Sequence, residues 1–519
     1  MTSASRRQWL AAAAAGAASA VLGAGLGELV AAMLAPESSP FAVIGGGLID
    51  VAPPWAKDAA IGLFGTADKV ALLTGIAIVL LVVAAAAGVL ESRFPPWGLV
   101  IIGACGVAGA VVSMTSAGAG PISWVPSAVA GIVGVVALRL LVGLLGRGAA
   151  TAATAPASAA DSGFDRRRFF AWTGGATAAG VLALVAANLA RTGTRVVTTV
   201  RDALRLPSPT GAPVEIPPGA DLRIPGLAPV ITPNDRFYRI DTALIVPQID
   251  PADWSLRVRG MVDHELTLTW GDLLALPMHE SATTLACVSN PVGGDLIGTA
   301  VWLGHPIREL LARAGPHADA DMVLSRSIDG FTASTPLEAL TDDRDAILAV
   351  GMNGEPLPVE HGFPVRMVVP GLYGYVSATK WVVELDVTRF DLERAYWTNR
   401  GWSERGPIKL QSRIDVPRRG QGLKAGDTVI AGVAWQQHVG VAGVEVQIDD
   451  GAWQQATLAP AISGDTWVQW SLPWTADVGG HVIRCRAVST TGEVQTSTHA
   501  PPAPNGATGW HERFVEVFE

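Results

Sequence analysis

Charge is scarce in this chain. Of 519 residues only 16% are Asp, Glu, Lys or Arg, where a soluble domain carries about 25%, so a single ordinary soluble domain is excluded. A basic excess is missing too: the net charge is −9, the wrong sign for a nucleic-acid-binding surface. The three cysteines, Cys105, Cys287 and Cys485, are too few and too scattered for a disulfide framework, a cysteine-cluster metal site or an iron–sulfur cluster. No histidine precedes His264 and no Cys-x-x-Cys-His run occurs, so the chain is expected to carry no haem. Internal repeats are absent, and each cysteine needs its own explanation.

What the chain has in quantity is apolar sequence, 49% of it, with a mean hydropathy of +0.35. Residues 1–190 hold ten Lys and Arg against eight Asp and Glu, and the remaining 329 hold 27 against 38. Five apolar stretches in the first part, Trp9–Leu34, Val70–Leu90, Leu99–Thr115, Ser123–Leu145 and Phe169–Ala190, approach the ~20 residues that cross a bilayer. The first is rich in Ala and Gly and carries Glu28; the apolar pattern continues after it, so a retained helix is favoured over a cleaved leader. Glu28 is expected near the outer end of that helix, without a function of its own.

Arg6, Arg7, Arg93, Arg147 and Arg166–Arg168 flank alternate ends of these stretches, whereas Lys57 and Lys69 are balanced by Asp58 and Asp68. The positive-inside rule then puts the N-terminus in the cytoplasm and everything after the fifth span outside. The Ala/Thr/Ser-rich run from Gly146 to Gly163 reads as a flexible linker. It leads into Asp165-Arg166-Arg167-Arg168-Phe169-Phe170, which resembles a twin-arginine export signal and also serves as a plain positive-inside cluster.

In the acidic remainder, Ser255–Gly260 alternates polar and apolar as a half-buried strand does, and Ile307, Leu310 and Leu311 have helical spacing with a stop at Gly315. Past Val416 short strands are expected at Thr428–Trp435, Val444–Ile448, Val468–Leu472, Val482–Val488 and Phe514–Phe518, with Asp450-Gly451 marking a hairpin. Such spacing over about 100 residues fits an immunoglobulin-like sandwich. Cys485 alternates inward with Ile483 and Ala487, and Cys105 lies in an apolar span; both are expected to be inert core residues.

Cys287 differs, since a strand-like run feeds it and the loop Ser289-Asn290-Pro291-Val292-Gly293-Gly294-Asp295 follows. A thiol at the lip of such a loop suits a nucleophile or a soft-metal ligand, and spacing alone leaves both open beside a structural role.

Across roughly residues 230–519 the chain resembles the sulfite oxidase family of molybdopterin-dependent oxidoreductases, of a membrane-anchored bacterial type. The likeness lies in Thr232-Pro233-Asn234-Asp235-Arg236-Phe237-Tyr238-Arg239, in the Cys287 loop continued by Gly298–Trp302, in Met352–Pro358 with His361–Arg366 and Val369-Pro370-Gly371, and in Lys380-Trp381. The resemblance implies that Cys287 supplies a thiolate to molybdenum held by the pterin. It implies that His361, Arg366 and Lys380 hold the pterin and its phosphate, that Asn234, Phe237, Tyr238, Ser289 and Asn290 belong to the cofactor pocket, and that Arg239 lies near the metal. It further implies a homodimer through the C-terminal domain.

The departures bear on substrate. Asn290-Pro291-Val292 has no arginine where the family places one, none occurs between Thr498 and Trp510, and Trp402 stands where the family has a catalytic tyrosine. A dianion wants several fixed positive donors, so sulfite is disfavoured, and Trp402 suits a neutral or cationic group.

The expected organisation is therefore an N-terminal α-helical transmembrane segment (1–147), a cytoplasmic linker (148–168), a fifth span (169–190), an irregular lead-in (191–229), an α+β molybdopterin domain (230–412) and an immunoglobulin-like β-sandwich (413–519). The expected function is two-electron oxygen-atom transfer on a small extracytoplasmic substrate such as a sulfur compound, with reduction of methionine sulfoxide or another sulfoxide as the alternative. The enzyme would sit in the cytoplasmic membrane and exchange electrons with a separate cytochrome or the quinone pool. A non-catalytic cell-surface module is the alternative of another class.

Overall fold

The computed structural model describes residues 3–35, 38–51, 68–115, 120–152, 166–191, 195–418 and 420–519. The chain divides into two units, Met1–Val196 with the short segment Ala243–Val246, and Val197–Thr242 with Pro247–Glu519.

The first unit is helical, with Ser3–Leu34, Pro40–Val51, Asp68–Arg93, Trp97–Thr115, Val125–Ala152 and Arg166–Arg191. Five spans, Gln8–Leu34, Ala71–Arg93, Trp97–Thr115, Val125–Leu145 and Arg167–Ala190, are long and apolar enough to cross a membrane; each end lies within three residues of the stretch read from the sequence. The helix from Val125 continues to Ala152, into the expected linker; residues 153–165 of that linker lie outside the described residues. Arg166–Arg168 form the first turn of the last helix. Gly16 and Gly88 set the approach of Ser3–Leu34 to Asp68–Arg93, because a Cβ on either would overlap the facing carbonyl of Ala84 or Ala12.

One expectation changes here, and Glu28 takes the expected place. Cys105 is exposed, not a core residue: in an apolar helix the outward face is as apolar as the inward one, so composition does not say which way a residue points. Glu28 lies near the end of its helix but is buried, with the Ser39 hydroxyl 2.8 and 2.9 Å from its two carboxylate oxygens and the Phe41 N–H donating at 3.0 Å.

From Val197 on, the helix Arg195–Ala203 belongs to the second unit; the turn-rich lead-in concealed it. Arg201 anchors it to the carbonyls of Pro356 and Leu357 at 2.7 and 2.8 Å. Two sheets follow. One has the order β2-β1-β10-β5-β6, built from β1 (Ser255–Gly260), β2 (Leu266–Thr269), β5 (Met322–Ser327), β6 (Thr332–Pro336) and β10 (Val382–Thr388), with β1 and β10 parallel. The other has the order β3-β4-β7-β8, from β3 (His279–Ala286), β4 (Ile297–Pro306), β7 (Ile347–Met352) and β8 (Glu355–Pro356), with β9 (Arg366–Val368) on β7. The helix Ile307–Ala314 buries Ile307, Leu310 and Leu311 and ends at Gly315 with φ 70°, the left-handed stop a glycine supplies. Trp302, Phe237, Leu285 and Phe363 join one buried core under the second sheet.

The C-terminal part is two further sheets. One runs β11 (Gln411–Val416), β13 (Gly426–Trp435), β17 (Val468–Ala476), β16 (Thr457–Leu458). The other runs β12 (Gly422–Lys424), β19 (His511–Phe518), β18 (Gly479–Ser489), β14 (Val441–Ile448), β15 (Gln454–Gln455). Ile414, Ile430 and Trp470 from one sheet and Val446, Ile483, Cys485 and Val515 from the other share a core, so the sheets pack face to face. Cys485 is fully buried there.

Candidate active site

The antiparallel pair β3–β4 closes at Ala286 against Ile297 and delivers Cys287 to the next position. The loop beyond it is held by its own backbone. The Cys287 N–H donates to Leu296 O at 2.9 Å, and the Asn290 N–H donates to Cys287 O at 3.1 Å. Asn290 Oδ1 accepts the Leu296 N–H at 2.9 Å, and Arg413 Nη1 donates to Gly294 O at 2.8 Å. Gly293 has φ 74° and lies against the His511 ring, which a Cβ would strike, so both the turn and the close approach require glycine.

Cys287 faces a cleft whose lining includes Phe237, Tyr238, Ser289, His361, Arg366, Lys380 and Trp402. Burial pushes its thiol pKa up, while the Ser289 N–H and hydroxyl, directed at the sulfur, pull it down. His361 Nε2 donates to the Asn234 carbonyl, 3.3 Å away. Burial, followed by the nearby Arg366 and Lys380 charges, lowers its pKa to about 3, so the ring is neutral at pH 7. Arg366 is buried over the Trp302 ring and donates to His361 O at 3.1 Å; burial lowers its pKa to about 10.

Lys380 Nζ donates to Asp241 Oδ2 at 2.8 Å and to Glu360 O at 3.0 Å. Its pKa falls to about 8, burial outweighing the opposing pull of Asp241. Two desolvated cations beside a neutral histidine and a buried thiol form an anion-seeking cradle with a soft ligand at one end. A phosphate would relieve the cations and a soft metal would hold the sulfur as thiolate. The residues therefore fit a phosphate-bearing, thiolate-bound metal cofactor.

Three expected residues have other partners. Asn234 does not line the cleft; its amide group donates to Met352 O at 3.3 Å and accepts from Asn353 at 2.8 Å, tying the lead segment to the turn after β7. Asn290 closes the cysteine loop as described. Arg239 also lies outside the lining, drawn onto Asp241 two residues on, with Nε 2.9 Å from Oδ2. Asp241, with its side chain only 4% exposed, thus bridges Arg239 and Lys380. It was missed because an isolated Asp in a turn-rich run carries no motif.

Part of the lining is aromatic. Trp402 packs at 5.9 Å from Tyr375 and 6.0 Å from Trp397, ring centre to ring centre, and the Tyr375 hydroxyl donates to Ser403 O at 2.8 Å. Arg400, close in sequence, stacks on Tyr396 at 3.5 Å and is not among the lining residues. Among the described lining residues the cations are Arg366 and Lys380 alone, apart from the neutral His361.

A family model, the oxidoreductase molybdopterin binding domain, matches residues 243–397. Sulfite oxidase of Gallus gallus is 30% identical over 320 residues, covering 52% of this chain and 69% of its own length. Mitochondrial sulfite oxidase of Mus musculus is 32% identical over 343 residues, covering 55% and 62%. An uncharacterized oxidoreductase, YuiH of Bacillus subtilis, is 34% identical over 157 residues, covering 30% of this chain and 76% of its own. Among solved structures, the sulfane dehydrogenase SoxCD of Paracoccus pantotrophus is 24% identical with a TM-score of 0.49, covering 55% of this chain and 81% of its own.

Proposed function

Because this chain belongs to the sulfite oxidase family of molybdopterin-dependent oxidoreductases, we propose that its second unit carries out two-electron oxygen-atom transfer on an uncharged organic sulfur compound of the sulfoxide class. The observation that carries this is the cleft facing Cys287: an aromatic wall of Tyr375, Trp397 and Trp402 with Arg366 and Lys380 as its cations. Those two cations lie with His361 and Asp241, where a cofactor phosphate would sit, which leaves the aromatic wall for the substrate. A dianion such as sulfite would meet no fixed positive donor on that wall.

In this reading Cys287 holds the metal as thiolate, and Ser289, His361, Arg366 and Lys380 hold the pterin and its phosphate. When bound, the cofactor supplies a centre that exchanges oxygen and two electrons with the substrate. The chain does the rest. Trp402, Trp397 and Tyr375 exclude water and orient an apolar group by its faces. Tyr238 lines the same cleft; burial, then the neighbouring Cys287, raises its pKa above the ordinary range, so its hydroxyl keeps its proton and can donate to a substrate oxygen.

Substrate profiling with dyes as electron partners tests the reading. A sulfoxide should be turned over with a kcat/KM at least about tenfold that of its competitor sulfite, and a preference for sulfite would overturn it. Cys287→Ser should lower turnover by about 100-fold or more with an unchanged circular dichroism spectrum and loss of bound molybdenum; undiminished turnover would remove Cys287 from its role.

The five long apolar helices point to membrane association. The placement of Arg6, Arg7, Arg93, Arg147 and Arg166–Arg168 supports a cytoplasmic N-terminus and an extracytoplasmic second unit, with the last cluster as export motif for a domain loaded with cofactor before translocation. A reporter fused after Glu519 that is active only in the cytoplasm would reverse this orientation. The two C-terminal sheets are read as an immunoglobulin-like dimerisation domain, and a monomer by light scattering at micromolar concentration would argue against the dimer.

A further inference from the structure

Arg239 Nε and Lys380 Nζ converge on the same oxygen of Asp241, at 2.9 and 2.8 Å. The carboxylate comes from the lead segment and the lysine from the residues just before β10, and both line the cysteine cleft. Their side chains are only 4% and 10% exposed. An ion pair in open water holds little, but one so covered is costly to break, because either partner is then left as a buried charge without compensation. A lysine carries its ammonium on a flexible stem, so its direction depends on what fixes it. The ammonium has three N–H donors and no acceptor. Two are engaged, by Asp241 and by the Glu360 carbonyl at 3.0 Å, and two fixed donors set the direction of the third.

We propose that Asp241 is the positioning residue of the phosphate cradle: it holds Lys380 protonated and directed before the cofactor arrives, and so sets how firmly the cofactor is kept. The inference rests on the cofactor reading above, with Asp241 acting through Lys380 and not on the reacting atoms. Toward a phosphate the carboxylate has two opposed effects. As bare charge it would repel the anion, but two cations already pair it and cancel most of its field. As an anchor it keeps the lysine charged, and here the margin is narrow. Burial brings the Lys380 pKa to about 8 even against the pull of Asp241, and without that pull the proton would leave at lower pH. The groups facing Lys380 are Asp241 and Arg239 from the lead segment, Glu360 and His361 from the turn before β9, and Arg366 on β9. His361 is neutral, Glu360 offers its carbonyl, Arg239 and Arg366 oppose the lysine's charge, and Asp241 supports it. The anchoring effect therefore outweighs the repulsion.

Release of molybdopterin from the purified full-length holoprotein, followed by pterin fluorescence between about pH 6 and 9, tests this without any turnover. Wild type should keep the cofactor through neutral pH and release it as pH rises. Asp241→Asn, nearly the same shape, should release it about tenfold faster at about pH 7, with the whole profile moved to lower pH and an unchanged circular dichroism spectrum. Lys380→Met should release it fast at every pH, and adding Asp241→Asn to that variant should change nothing further. Arg239→Gln, at a side chain 41% exposed, leaves the carboxylate to Lys380 and removes a repelling cation, so its profile should not move to lower pH; it carries the test if Asp241→Asn fails to fold. Release from Asp241→Asn as slow as from wild type or slower, a loss that simply adds to that of Lys380→Met, or a downward move in Arg239→Gln would overturn the proposal. Wild type purified without molybdopterin would remove the cofactor reading and this one with it, whereas loaded wild type with an undisturbed Asp241→Asn removes this one alone.

Discussion

In the helical unit the most deeply buried positions are largely alanines, Ala12, Ala15, Ala31, Ala84 and Ala87, with Leu138 and Phe169 as large exceptions, while Ile132, Leu140 and Leu182 stand exposed. In the second unit the fully buried residues include Trp302, Trp381 and Trp470. Water explains the second pattern: large apolar side chains go inside because each gains from leaving it. It does not explain the first. Helices in lipid gain nothing by hiding leucine, and small residues at their contacts let the backbones approach, as Gly16 and Gly88 do. Side-chain placement therefore supports the membrane reading independently of hydropathy.

The sharpest break of this contrast is Trp302→Ala. Trp302 is fully buried, edge-on to Phe237 and under Arg366, so its removal should cost about 3–5 kcal/mol, measured by denaturant unfolding of the second unit's signal. Leu182→Ala, at 68% exposure in the helical unit, should leave detergent-solubilised stability within about 0.5 kcal/mol. Comparable losses at the two positions would erase the distinction.

A pH effect belongs to the second unit next. His511 Nδ1 accepts the Ile414 N–H at 2.9 Å, and burial, then Arg513 and Arg413, lower its pKa from 6.5 to about 4. The unfolded chain takes its proton first as pH falls, so stability from this residue is present above about pH 6.5 and lost between there and pH 4, about 3 kcal/mol in all. His511→Asn, whose side-chain oxygen can still accept the bond, should remove most of that slope in urea titrations. A slope unchanged by the substitution would assign it elsewhere.

Gly16→Leu reverses the logic in the helical unit. Adding a large apolar side chain where the Ala84 carbonyl sits should cost about 1–3 kcal/mol and lower the thermal midpoint in detergent, although hydropathy rises. Stabilisation would mean that burial of apolar area governs this unit as well.

These contrasts also explain what could be read in advance. Periodicity located β1 and the helix Ile307–Ala314 because water is on one side of each, and hydropathy located all five spans. Cys105 points outward because its helix is as apolar on its outward face as on its inward one, which composition does not distinguish. In the cleft, residues inside contiguous motifs, Cys287, His361, Arg366 and Lys380, come together. Asp241, Tyr375 and Trp397 were not legible, since each reaches the cleft from its own segment through the tertiary fold. Asn234, Asn290 and Arg239 show the converse: they sit inside the motifs, yet their side chains satisfy Asn353, Leu296 and Asp241.

The smallest expected effect compares one substitution in both units. Cys485 is fully buried, with the Ser412 hydroxyl 3.3 Å from its sulfur, so Cys485→Leu overfills a core shared by two sheets, at about 1–3 kcal/mol. Cys105 is exposed on its helix, so Cys105→Leu exchanges one outward apolar group for another and should shift stability by no more than about 0.5 kcal/mol. If that outward face met lipid it would tolerate the leucine in nanodiscs, whereas a face in water would add an apolar surface and promote aggregation. The sign of that small effect, read as the monodisperse fraction on gel filtration, thus tests what surrounds the helix more directly than any large loss does.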